Sequence, residues 1–275
     1  MPKQQSITIS GDLASGKSTV AVELASRLGL RRVSMGDLYR SLALSWGMSA
    51  IQLNRHSRRD AAVDAYIDNL QRDLANADSP LILDSRLGWY FLTDSFKVHL
   101  KTDPVVAAQR ALERQGSAGE SYASLAEARA SLLERSENER MRFIQTYGVD
   151  KARLRNYDLV CDTTRATLSK VSEVIIDIYK RQRATDEVVL FLDPTRVYPA
   201  HVRSQIASAD VLHVAYARPH FFAVSGETAL SNALESGTRL VQAKLVGEGD
   251  EELWPGMTVR GYFESRVKRH VARWT

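Results

Sequence analysis

The stretch Ile7-Thr8-Ile9-Ser10-Gly11-Asp12-Leu13-Ala14-Ser15-Gly16-Lys17-Ser18-Thr19 decides the fold of this chain. Ile7 to Ile9 is a short β-branched run that reads as a strand, and a helical pattern opens at Val20. Between them, Gly11 and the Gly16-Lys17-Ser18 triplet have the spacing of a P-loop in its strand-to-helix context. Such a turn points consecutive backbone N–H groups at a polyphosphate, and the following helix presents its positive end to the same anion. Gly11, Asp12, Leu13, Ala14, Ser15, Gly16, Lys17, Ser18 and Thr19 are therefore expected to cradle a nucleoside triphosphate. Lys17 would reach the β and γ phosphates, and the Ser18 hydroxyl is placed to ligate Mg²⁺. Both glycines are assigned one job, since a side chain at either would crowd the turn or need an unfavourable φ.

Composition bounds what such a loop can belong to. The 275 residues, 44% hydrophobic and 25% charged, are those of an ordinary globular chain with room for one large domain or two smaller ones. No apolar run approaches the roughly 20 residues needed to span a bilayer, and no basic-apolar leader precedes the first strand, so a cytoplasmic protein is expected. The single cysteine, Cys161, cannot form an internal disulfide and reads as a small buried strand residue. A net charge of +4 suits an enzyme that gathers phosphates. Its basic residues are scattered, the run Arg266-Val267-Lys268-Arg269-His270 reads as a solvated helix face, and nucleic acid is not expected as a partner.

Working outward from the loop, a helix is expected from Ser18 to Leu28 with Gly29 at its end, then a strand at Arg31–Ser34 and a helix from Asp37 to Trp46. Ser49 reads as an N-cap, and apolar spacing from Asp60 to Asn76 gives an amphipathic helix. Pro80-Leu81-Ile82-Leu83-Asp84-Ser85-Arg86 is continuously apolar before its acid and base, as in a strand buried on both faces of a parallel sheet. Asp84 and Arg86 then fall at the carboxyl edge, where doubly wound sheets bind ligands. Strands at Phe96–Leu100 and Tyr157–Cys161 alternate with helices at Pro104–Arg114, Leu125–Tyr147 and Leu168–Lys180. This grammar gives an α/β fold with a mainly parallel sheet flanked by helices. The polar run Arg181–Glu187 reads as a boundary between a domain at 1–183 and a smaller α/β domain at 188–275. The smaller one has strands at Val188–Leu192, Val211–Tyr216, Phe221–Val224 and Arg239–Leu245, and helices at Pro199–Ile206 and Glu227–Glu235.

Several short motifs, in order, carry a resemblance. They are the loop itself, Leu28-Gly29-Leu30, Val33-Ser34-Met35-Gly36-Asp37-Leu38-Tyr39-Arg40 and Leu83-Asp84-Ser85-Arg86-Leu87-Gly88-Trp89. Glu134-Arg135-Ser136-Glu137, Arg142-Phe143, Tyr147-Gly148-Val149-Asp150, Tyr157-Asp158-Leu159-Val160 and Asp162-Thr163 follow. Together, residues 5–180 resemble the cytidylate kinases, especially the short archaeal-type branch. The resemblance implies phosphoryl transfer from ATP·Mg²⁺ to a nucleoside monophosphate, most naturally CMP or dCMP, with a mobile lid helix over the phosphates. A kinase of another small hydroxylated or phosphorylated metabolite, or an ATP-binding regulator with little turnover, stays open beside it. Homo-oligomerisation is compatible with either reading.

Phosphoryl transfer needs cationic positioning more than covalent help. Besides Lys17, the candidates on the long helix are Arg135 and Arg142, although Glu134, Glu137 and Glu139 make a solvated, ion-paired helix the alternative. On the acceptor side the resemblance implies that Arg40 and Arg86 clamp the monophosphate, for which a planar guanidinium is suited. Asp37, Tyr39 and Asp68 are weaker candidates for sugar or base. A helix-dipole partner, a core aromatic and an exposed carboxylate are the respective alternatives. Asp84 is expected to steer Mg²⁺ through a water, or else to cap its strand. The loop Asp162-Thr163-Thr164 resembles the place where these kinases hold adenine through backbone atoms. Family loops usually read Gly-Pro-Pro-Gly-Ser-Gly-Lys, so Asp12-Leu13-Ala14 departs from the pattern. An acid beside a triphosphate is unfavourable unless it points outward, and Asp12 is expected to weaken turnover otherwise.

The segment after residue 188 resembles the ParB/sulfiredoxin-like fold through Asp193-Pro194-Thr195-Arg196-Val197, Phe221–Glu227, Ala233-Leu234 with Gly237, and Val241–Leu245. Members bind phosphate or nucleotide with an Asp-Gly-His-His-Arg-type loop. Here Ser225, Glu227, Thr228 and Ala229 replace its functional side chains, so no catalysis is expected there, and His213 and His220 read as ordinary strand and turn residues.

Overall fold

The computed structural model describes residues 5–49, 52–53, 61–114, 122–181, 187–199 and 211–268. The first strand, β1 (Ile7–Gly11), leads through the loop into α1 (Lys17–Leu28), which Gly29 ends in the left-handed conformation. β2 (Arg31–Ser34) and α2 (Met35–Ser45) follow, with the Ser34 hydroxyl accepting from Asp37 N at 3.2 Å as an N-cap. Ser49 caps the next segment reciprocally with Gln52, at 3.2 and 2.7 Å. Then come α3 (Ala61–Ala75), β3 (Leu81–Asp84) and a single turn, α4 (Gly88–Phe91), which the sequence reading does not anticipate. β4 (Phe96–Lys101), α5 (Pro104–Glu113), α6 (Leu125–Tyr147), β5 (Leu159–Asp162) and α7 (Leu168–Lys180) lie where periodicity puts them.

Beyond residue 188 the order is β6 (Val189–Leu192), β7 (Val197–Tyr198), β8 (Leu212–Ala217), β9 (His220–Ser225), α8 (Glu227–Glu235) and β10 (Val241–Glu248). A small hairpin, β11 (Glu252–Trp254) with β12 (Met257–Thr258), then leads into α9 (Val259–Tyr262) and a π turn at Phe263–Val267. The hairpin, β7 and these last turns are too short to show in apolar spacing. The expected helix at Pro199–Ile206 and the boundary residues 182–186 lie outside the described residues.

All strands except the β11–β12 pair join one ten-stranded sheet in the order β2-β3-β1-β4-β5-β6-β10-β8-β9-β7. From β2 to β6 every neighbour is parallel, while β10 enters antiparallel to β6. The two segments read as separate α/β units thus share a sheet, because β6 pairs Val189–Phe191 with Leu159–Cys161 of β5. Alternate residues of the strands feed two cores. Ile7, Ile9, Val98, Leu159 and Cys161 pack with Val20, Leu24 and Ile175 of α1 and α7. Val160 and Tyr157 join Trp89, Phe143, Leu190, Val214, Tyr216 and Phe221, a cluster drawn from both segments. Cys161 is fully buried, and burial pushes its thiol pKa up, so it is a packing residue.

Candidate active site

The parallel register sets Ile9 of β1 opposite Asp84 of β3, so the loop and the acid emerge side by side at the carboxyl edge. The two loop glycines turn out to serve different ends, which corrects the single role given to them. A Cβ at Gly11 would lie 2.7 Å from Ser15 Oγ and 2.8 Å from the Leu100 carbonyl, so this glycine permits close approach. Gly16 has open space around it but φ 83°, so it supplies a conformation. Ala14 also sits in the left-handed region, at φ 58°, a cost the loop tolerates without glycine.

Lys17 pairs directly with the buried Asp84 carboxylate, which also accepts from Arg32 Nη2 at 3.0 Å. Burial opposes the Asp84 charge, but the Lys17 ammonium and hydrogen bonds from Lys17, Ser18 and Arg32 hold its pKa below the usual range. Ser18 and Asp84 thus present two oxygen ligands at one point, a donor set that fits a hard cation such as Mg²⁺. No group of three His, Cys, Asp or Glu side chains suited to a metal occurs among the described residues.

Asp12 lies beside Lys101 Nζ at 3.0 Å and accepts from Thr102 N at 3.1 Å, with His99 Nε2 3.6 Å away. Burial opposes its charge, yet Lys101 and His99 hold its carboxyl far below the usual range. The acid in the loop is therefore neutralised from β4, and the physical reason for expecting weakened turnover is removed.

Around the loop, Arg32 also approaches Asp37 at 3.2 Å, and Asp37 pairs with Arg40 one helical turn on. A cavity of about 600 Å³ is lined by Arg31, Arg32, Ser34, Asp37, Leu38 and Leu70 among others. Arg40 stands 62% exposed at the α2 surface against Asp37, whereas Tyr39 packs with Ala43, Leu53 and Val63. Asp68 accepts from the Tyr147 hydroxyl at 3.0 Å, which ties α3 to the end of α6. Arg86 pairs with Glu139 of α6, a buried carboxylate that Lys151 also contacts. Burial opposes the Glu139 charge, and Arg86 with Lys151 outweighs it to lower the pKa. Arg135, Glu139 and Arg142 fall on one helical stripe, since steps of four and three residues return to the same face. Arg135 contributes to the field at Glu139, whereas the Arg142 guanidinium lies 5.5 Å from the Phe143 ring. The structure thus brings Lys17, Ser18 and Asp84 together and links Arg86 to α6; Arg40, Asp68, Tyr39 and Arg142 meet other partners.

Arg32, Lys101 and Arg110 have no motif that would single them out, and Arg196 reads only as part of the Asp193–Val197 motif, yet they tie this edge together. Arg110 Nη2 donates to the Thr163 carbonyl at 2.6 Å, and the Thr163 hydroxyl donates to the Ser15 carbonyl at 2.9 Å, so the 162–164 loop is laced to the P-loop. In the later strands, His213 Nδ1 and Ser225 Oγ are 3.0 Å apart, and His220 stacks on Phe263 at 4.9 Å.

A P-loop at the carboxyl edge of a parallel sheet, its lysine against an acid from the neighbouring strand and arginines around it, defines a P-loop kinase. Residues 6–165 match the Cytidylate kinase-like family, and the chain belongs to that family. A cytidylate kinase of Natronomonas pharaonis is 34% identical over 171 residues, covering 62% of this chain and 86% of the relative. One of Methanothrix thermoacetophila is 40% identical over 159 residues, covering 58% of this chain and 88% of the relative. Among solved structures, an uncharacterized protein from Eubacterium ventriosum superposes with a TM-score of 0.50 at 18% identity, over 66% of this chain and all of that one, a likeness of fold. The protein is a nucleoside monophosphate kinase with a P-loop fold. No described helix is long and apolar enough to cross a membrane.

Proposed function

We propose that the protein transfers the γ-phosphoryl group of ATP to CMP or dCMP, in the cytoplasm. The observation that carries this reading is the convergence of Lys17, Ser18 and Asp84 at the carboxyl edge, with Arg86 held against α6 nearby. Lys17 would follow the β and γ phosphates, neutralising charge that spreads over the equatorial oxygens as the bond to the leaving oxygen lengthens. Ser18 and Asp84 would hold Mg²⁺, which supplies further charge neutralisation between the phosphates when bound.

Arg40 and Arg86 are assigned to the acceptor phosphate, with Asp37 and Arg32 lining the neighbouring cavity. Arg86 would exchange Glu139 for the phosphate, and Arg135, on the same stripe as Glu139, would approach the transferring group. Lys101 offsets the Asp12 charge, which removes a repulsion toward a triphosphate in the loop.

The test is an acceptor panel, with ATP consumption measured for each nucleoside monophosphate and for small alcohols. CMP or dCMP should give the highest kcat/KM. Consumption of no ATP with any acceptor would overturn the kinase reading, and a preference for another base would overturn the specificity alone.

A further inference from the structure

The family match ends at residue 165, yet the later segment reaches the P-loop edge by two separate routes. The first runs through Arg196, in the turn Pro194–Arg196 after β6. Arg196 Nη1 donates to Asp162 Oδ2 at 2.5 Å, and the other oxygen, Oδ1, accepts from Thr164 N at 2.8 Å. Asp162 is fully buried and Arg196 is 11% exposed, so this is an interior pair that fixes the backbone of the 162–164 loop. From there, Thr163 Oγ1 bonds to the Ser15 carbonyl of the P-loop at 2.9 Å. A second ion pair braces the same loop from its other side, Arg165 Nε and Nη2 meeting Asp193 at 2.6 and 2.7 Å.

The second route runs through Tyr216 near the end of β8. Its hydroxyl accepts from Lys101 Nζ at 3.1 Å, while Lys101 holds Asp12 of the P-loop at 3.0 Å. Lys101 and Tyr216 are both buried, so the ammonium has a fixed address between a carboxylate and a phenol. In the next turn, Arg218 Nη1 meets Glu137 of α6 at 2.7 Å. One segment outside the family match thus contacts the supports of the P-loop, of the 162–164 loop and of the long helix.

We propose that the described stretches 187–199 and 211–218 complete the ATP-binding half of this kinase, with Arg196 and Tyr216 as positioning residues. Arg196 sets the backbone of the 162–164 loop that is bonded to the P-loop, and Tyr216 sets the lysine that cancels the acid in the P-loop. This rests on the kinase reading above and goes beyond it by assigning the later segment to the donor site rather than to an independent ligand.

The experiment is carried out on the full chain with Tyr216→Phe, Arg196→Met, Arg196→Lys and, as a control in the same segment, Asp250→Ala. Tyr216→Phe removes one oxygen and keeps the ring that packs on Phe221 at 4.6 Å between centroids, so folding is preserved. Losing a buried hydrogen bond to a charged group should raise KM for ATP about three- to tenfold, with KM for the acceptor unchanged. Arg196→Met should raise it further, and Arg196→Lys, which keeps the charge, should recover part of the loss. Asp250→Ala should behave as wild type, because Asp250 pairs with the exposed Arg260, away from both routes.

Calorimetric titration with ATP is run beside the kinetics. Wild-type protein that binds no ATP overturns the kinase reading and this inference with it. Wild type that binds ATP while Tyr216→Phe and Arg196→Met bind it equally well overturns the inference alone. An equal rise in both KM values, following a drop in thermal stability, also overturns it, since that is what a purely structural role would give.

Discussion

Ending the chain after residue 183 removes β6 to β10 and everything packed on them. The polar run at 181–187 leads one to expect that the remaining fragment folds by itself, and the shared sheet argues otherwise. Leu87, Trp89, Phe143, Leu154, Tyr157 and Val160 are the six buried side chains that residues 1–183 contribute to the core shared with the later strands. If each loses about a third of its burial, at ~1.5–3 kcal/mol for a full side chain, the fragment gives up roughly 3–6 kcal/mol. Set against total stabilities of ~5–15 kcal/mol, that is a large share. β5 also becomes an edge, because its partners at Val189–Phe191 are gone, and an apolar edge strand invites pairing with other copies. Thermal unfolding of the fragment beside the full chain should show a Tm lower by roughly 10–20 °C, with oligomers visible by light scattering. A monomeric fragment that melts cooperatively at the temperature of the full chain would refute this reasoning and support an independent domain at 1–183.

Other expectations test single residues. Lys17→Ala should lower kcat by about 10²-fold or more with little change in Tm, since the side chain acts on transition-state charge; an unchanged kcat would remove Lys17 from the mechanism. Gly16→Ala should cost roughly 1–2 kcal/mol through φ alone, read as a shift in denaturation midpoint, whereas Ala14→Gly should be neutral or mildly stabilising. Gly11→Ala should impair ATP binding more than Gly16→Ala, because its Cβ would meet the Leu100 carbonyl. The lowered pKa of Asp84 makes its contribution to stability complete above its unfolded pKa near ~3.9, and progressively lost as pH falls toward the folded value. Tm measured from pH 7 to pH 2 should therefore fall less steeply below about pH 4 in Asp84→Asn than in wild type, and identical slopes would count against the Lys17–Asp84 pair.

Much of the fold was legible from residues alone. The 23-residue helix Leu125–Tyr147 has the expected ends, because Ser124 and Gly148 are strong local stop signals: the Ser124 hydroxyl accepts from Glu127 N, and Gly148 takes φ 69°. The buried strand Leu81–Asp84 and its acid are equally plain, since a continuous apolar run suits a sheet covered on both faces. Less legible was the pairing of the cations. The Asp37–Arg40 pair follows i,i+3 helical spacing, but nothing local says that Glu139, 53 residues on, would hold Arg86.

The sequence by itself determined the P-loop, the alternation of strands and helices through residue 180, and the family, all of which are written in spacings of a few residues. Only the tertiary structure decided that the later strands extend the same sheet, that Asp12 is neutralised, and that Arg196 and Tyr216 stand behind the site. Lys101 meets Asp12 across 89 residues of chain and Tyr216 across 115, and Arg196 meets Asp162 across 34. Strand order and register bring such pairs together, and those depend on how all the apolar faces pack at once, a property that no short window of sequence contains.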